Sequence, residues 1–93
     1  MASDLTAYDS ADYLQTPEDI AAYLEAAFED GDPALITHAL GVIARAEGMT
    51  EIARRTGLTR ASLYKSLSGD GRPEFETVLK VLRALGLKLT VAA

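Results

Sequence analysis

A chain of 93 residues makes one domain, burying about 60–65% of its unfolded surface and leaving little stability to spare. Hydrophobic residues at 48% and charged residues at 25% are ordinary for a folded globule, and the lack of cysteine excludes disulfides and thiolate metal sites. The net charge of −5 is unevenly laid down: residues 1–38 hold nine acids and no base, residues 39–93 five acids and all nine bases.

Residues 1–15, with Leu5, Tyr8, Tyr13 and Leu14, show no sustained periodicity and are expected to form an extended arm whose aromatic rings dock on the body. A partly disordered terminus is the plainer alternative. Its acids Asp4, Asp9 and Asp12, with no base beside them, do not make a signal peptide. No apolar run approaches the length that spans a bilayer. A soluble, cytoplasmic protein is therefore expected, with residues 16–93 as a single helical domain.

Thr16-Pro17-Glu18-Asp19 is a helix start: Thr caps, Pro fits the first turn, and the acids suit the positive end of the dipole. Ile20, Tyr23, Leu24, Ala27 and Phe28 follow at helical spacing and predict an inward stripe, with Tyr23 and Phe28 in the core. Glu25, Glu29 and Asp30 take the outer surface, and Gly31 ends the helix. Asp32-Pro33 repeats the start signal. Leu35, Ile36, Ala39, Leu40, Val42, Ile43 and Ala46 predict a central helix that is apolar over a wide face. Gly41 would allow a neighbour to approach closely, and Gly48 ends this helix.

The stretch 49–69 reads as two short helices joined by a tight turn. Ile52, Ala53 and Thr56 share a face of the first, Gly57 stops it, and Leu58 tucks inward. Thr59 can cap the second helix, which sends Leu63 and Leu67 inward and keeps Arg60, Ala61, Ser62 and Lys65 exposed until Gly69 ends it. A short helix, a glycine turn and a helix with a cationic N-terminal face is the layout of a helix-turn-helix, whose second helix reads base edges in the major groove. An ordinary corner between two helices is the alternative.

Asp70-Gly71-Arg72-Pro73 is a turn by composition. Glu74 to Leu85 predicts a last helix with Phe75, Val78, Leu79, Leu82 and Leu85 inward and Val81 off that face, ended by Gly86. Leu87–Val91 alternates apolar and polar residues, the pattern of a half-buried strand, which would need a pairing partner. The expected fold is all-α: a compact bundle of about five helices containing a helix-turn-helix, with a short C-terminal β-strand over residues 87–91.

No set of residues has the spacing of a metal site around His38, the single histidine, and no nucleophile–base–orienter set can be assembled. Neither an enzyme nor a cofactor is expected. The acidic and basic halves, carrying −9 and +4, point instead to two different partners, against the plainer reading of a solvated acidic face.

Three segments carry a family resemblance: residues 23–33 (YLEAAFEDGDP), residues 57–60 (GLTR), and residues 63–68 (LYKSLS) with 75–82 (FETVLKVL). Through them nearly the whole chain resembles the HigA-like addiction-module antidote proteins of the Cro/C1-type (XRE) helix-turn-helix superfamily. That resemblance implies an antitoxin that silences a RelE/HigB-type ribonuclease toxin and binds operator DNA in its own promoter as a homodimer. It places base contacts on Arg60, Ala61, Ser62 and Lys65, and phosphate contacts on Thr59, Ser68 and Thr50. Many relatives open the first helix of the motif with a phosphate-gripping glutamine; here Met49 stands in that place.

An inhibitor of a ribonuclease meets a cationic surface, so the acids Asp4, Asp9, Asp12, Glu18, Asp19, Glu25 and Glu29, with Tyr8 and Tyr13 as anchors, are the candidate toxin contacts. The competing readings are a stand-alone phage- or plasmid-type transcription regulator and a structural helical domain without a DNA role.

Overall fold

The structure, a computed structural model, describes residues 14–68 and 70–93. The expected arm residues Asp4, Leu5, Tyr8, Asp9, Asp12 and Tyr13, and the stop Gly69, lie outside the described residues. Five helices follow in chain order: α1 (Pro17–Asp30), α2 (Pro33–Glu47), α3 (Met49–Thr56), α4 (Arg60–Ser66) and α5 (Phe75–Ala84).

Local signals set most of the boundaries. Thr16 Oγ1 accepts from the Asp19 amide at 3.0 Å while the Asp19 carboxylate accepts from the Thr16 amide at 3.3 Å, a reciprocal capping box. Gly31 closes α1 in the left-handed region, and Asp32 caps α2 through the Ala34 amide at 3.0 Å.

The stripe of α1 is narrower than expected. Ile20, Leu24 and Ala27 are buried and Tyr23 is half-buried, but Phe28 is exposed. One residue advances a helix by about 100°, so the side chain after buried Ala27 swings off the seam. In α2 the buried set is Thr37, Ala39, Leu40, Gly41, Ile43 and Ala44, whereas Leu35 and Ala46 are exposed.

The short α3 is the hub, packing against α2, α4 and α5. Its Ile52 is fully buried with Leu40 and Ile43 from α2, Leu63 from α4 and Val81 from α5. The full burial of Val81 corrects the expected face of α5. Val78, Val81, Leu82 and Leu85 form the inward seam at i, i+3, i+4 and i+7, while Phe75 is 65% exposed. Phe75 instead lines a surface groove with Phe28, Pro33, Ile36 and Leu89.

No strand forms over Leu87–Val91; the described residues contain helices, turns and irregular chain only. Gly86 takes φ 79° after the end of α5, and the Leu87 amide donates back to the Leu82 carbonyl at 2.9 Å. That closure turns the chain over the helix end. Val91, almost wholly exposed, has no neighbouring strand among the described residues to satisfy its backbone.

Candidate nucleic-acid interface

The turn between α3 and α4 is held by one hydroxyl and one glycine. Thr56 Oγ1 donates to the Ile52 carbonyl at 2.8 Å and accepts from the Leu58 amide at 3.2 Å, fixing the chain as it leaves α3. Gly57 takes φ 77°, where a Cβ would be strained, and its amide donates to the Ala53 carbonyl at 2.9 Å. Thr59 Oγ1 then accepts from the Ser62 amide at 3.0 Å and starts α4.

The inward side of α4 is anchored by Leu63 and Leu67, both almost fully buried. Arg60, Ala61, Ser62, Tyr64 and Lys65 are all exposed. The helix therefore presents two cations, a hydroxyl and a small apolar residue along its outer face. That mixture suits a groove lined by base edges and thymine methyl groups.

The candidate phosphate contacts differ in readiness. Thr59 uses an oxygen lone pair on the Ser62 amide, so its proton is available to a phosphate oxygen. Ser68 is exposed, but its hydroxyl donates to the Lys65 carbonyl at 3.0 Å and must leave that bond to donate elsewhere. Thr50 is exposed in the first turn of α3, a helix start with no side-chain cap. Met49 is 5% exposed and belongs to the core, so its place cannot supply a surface phosphate grip.

Among the described residues three of the other cations are held in ion pairs. Glu51 pairs with Arg54 and with Arg55, the latter at 2.9 Å, and Lys80 pairs with Glu76 at 3.4 Å. Hydrogen bonds from Arg54 and then Arg55 hold the Glu51 carboxyl below the usual glutamate range. Arg55 Nη1 also donates to the Ala84 carbonyl at 2.8 Å, tying α3 to the end of α5.

Tyr64, which sequence reasoning did not single out as a site residue, lies beside Arg60. The guanidinium carbon stands 5.8 Å from the ring centre. The i, i+4 spacing of arginine and aromatic residue was the signal for it.

On α1 the candidate toxin contacts Glu18, Glu25 and Glu29 are exposed. Asp19 is exposed too, but its carboxylate is committed to the capping box. Asp4, Tyr8, Asp9, Asp12 and Tyr13 lie outside the described residues. Among the described residues no three His, Asp or Glu side chains converge as metal ligands, and no helix is long and apolar enough to cross a membrane.

The chain is 45% identical over 91 residues, 98% of its own length and 94% of the relative's, to an uncharacterized protein of Haemophilus influenzae. No solved structure matches it. A family model described as probable addiction module antidote protein matches residues 4–93, nearly the entire chain. The chain belongs to the family of probable addiction module antidote proteins.

Proposed function

We propose that this protein is a HigA-like antitoxin of the XRE superfamily with two jobs divided between its halves. The acidic N-terminal half neutralises a RelE/HigB-type ribonuclease toxin. The helix-turn-helix over 49–69 binds operator DNA as a homodimer and represses its own operon, and both partners are met in the cytoplasm. The antidote family supports the first job.

One observation carries the second. On α4 the apolar side chains Leu63 and Leu67 are consumed by the core, while Arg60, Ala61, Ser62 and Lys65 are all left in solvent. A helix used only as a structural corner has no need of a cationic outer face beside a capped N-terminus. Arg60 and Lys65 fit base edges, and Thr59 and Thr50 fit the flanking phosphates. Two such helices in a symmetric dimer would address half-sites about 34–36 Å apart.

The test is co-expression with the product of the adjacent gene, scoring growth rescue and co-purification. Rescue with a stable complex supports the antitoxin reading. No toxicity and no complex, with DNA binding retained, would leave a stand-alone regulator.

A further inference from the structure

Arg60 and Tyr64 stand about one turn apart on the outer side of α4, with the guanidinium carbon 5.8 Å from the ring centre. Tyr64 is 44% exposed, and Leu63 and Leu67 already fill the inward positions. Its ring therefore adds little to the core. Among the described residues no carboxylate pairs with Arg60; the ion pairs engage Arg54, Arg55 and Lys80. Long helical side chains lean toward the N-terminus, which brings the Tyr64 ring back over the turn that carries Arg60. The electron-rich ring face then attracts the guanidinium.

We infer that Tyr64 is a positioning residue for base reading: its ring holds the Arg60 guanidinium in place for a purine edge in the major groove. Tyr64 thereby sets specificity at that base pair. The inference rests on α4 being the DNA-reading helix proposed above. An exposed arginine samples many rotamers, whereas a bidentate grip on guanine needs one. A ring that already restrains the guanidinium lowers the ordering cost of binding. Because Tyr64 is uncharged, its effect falls on base discrimination and not on the general attraction to phosphate.

The experiment starts with the full-length wild-type protein selecting duplexes from a random-sequence pool at fixed salt. Tyr64→Phe, Tyr64→Leu, Arg60→Ala and the Arg60→Ala/Tyr64→Leu double variant are then titrated on the selected duplex and its single-base variants.

Tyr64→Leu should bind the selected duplex about two- to fivefold more weakly, with a relaxed preference at one base pair and an unchanged salt slope. Tyr64→Phe, which keeps the ring face, should bind like wild type. In the Arg60→Ala background the Tyr64→Leu change should cost nothing further. A general loss of fold would weaken binding in both backgrounds. Equal losses in the two backgrounds, or wild-type base preferences in Tyr64→Leu, would overturn the inference and leave α4 as the reading helix. A wild-type protein that selects no sequence would remove the DNA-binding reading itself, and this inference with it.

Discussion

The carbonyl oxygen of Leu67 stands 2.5 Å from where a Cβ on Gly41 would sit, so the middle of α2 lies against the end of α4. The obstacle is backbone, which cannot swing aside as a side-chain tip can. Ala in place of Gly normally stabilises a helix by about 1 kcal/mol. Here Gly41→Ala should instead destabilise by about 1–3 kcal/mol, because either α2 or the end of α4 must move. Chemical denaturation reads the sign directly. A raised midpoint would mean that the crossing is loose. Where the end of α4 is what gives way, operator affinity should fall together with stability, since α4 is the proposed reading helix.

Thr59 does two things that substitutions can separate. Its oxygen caps α4, and its proton is free for a phosphate. Thr59→Ala should cost about 0.5–2 kcal/mol of stability. Thr59→Asp restores a strong cap and should melt near wild type, yet it places a negative charge where the phosphate would lie. Melting curves and DNA titrations on both variants separate the roles. A Thr59→Asp protein that binds DNA like wild type would remove Thr59 from the interface.

Most of the helices were legible in the sequence because their ends are local. Thr16 with Asp19, Asp32 before Pro33, Gly57 and Thr59 each satisfy backbone groups within a few residues, so composition alone reveals them. The faces were less legible because rotation about a helix axis is settled by neighbours. Phe75 and Val81 exchanged places relative to expectation, since the seam that meets α3 selects Val78, Val81, Leu82 and Leu85. Leu87–Val91 has the alternation of a strand, but a ladder needs a second strand and none stands beside it among the described residues. At the candidate site the cationic face of α4 followed from the Leu63 and Leu67 spacing. The i, i+4 spacing put Arg60 and Tyr64 within reach of each other, but that the guanidinium meets the ring required coordinates.

The Glu51 carboxyl is depressed below its ordinary value of 4.5, first by the Arg54 hydrogen bond and then by that of Arg55. A lowered carboxyl pKa contributes stability above the unfolded-state value, and that contribution disappears as pH falls through the folded-state value. Both arginines are well exposed, so the effect is small and screened by salt. Glu51→Gln should therefore be slightly less stable than wild type above pH 4.5 at low ionic strength. The two proteins should converge in more acid solution and at high salt. Denaturation midpoints across that range check it, and parallel curves at every pH would show that the cluster adds nothing to the folded state.

The outer face of α1 offers the sharpest separation of the two proposed jobs. Glu18, Glu25 and Glu29 are exposed, whereas Asp19 is bound into its helix cap. Charges at the rim of an interface act chiefly on encounter, accelerating association in a salt-dependent way. The triple variant Glu18→Gln/Glu25→Gln/Glu29→Gln should associate with the toxin about tenfold more slowly at low salt and lose much of the salt dependence. Its dissociation rate should change little, and its affinity for operator DNA should not fall, because the lost charges would repel phosphate if they acted on it at all. Stopped-flow association with the adjacent gene's product at several ionic strengths, beside a DNA titration, measures both. An association rate equal to wild type at every salt would clear Glu18, Glu25 and Glu29 of steering the toxin. Asp4, Asp9 and Asp12, with the exposed Asp30 and the capping Asp19 and Asp32, would then be left as the negative charge of residues 1–38 able to steer a basic partner.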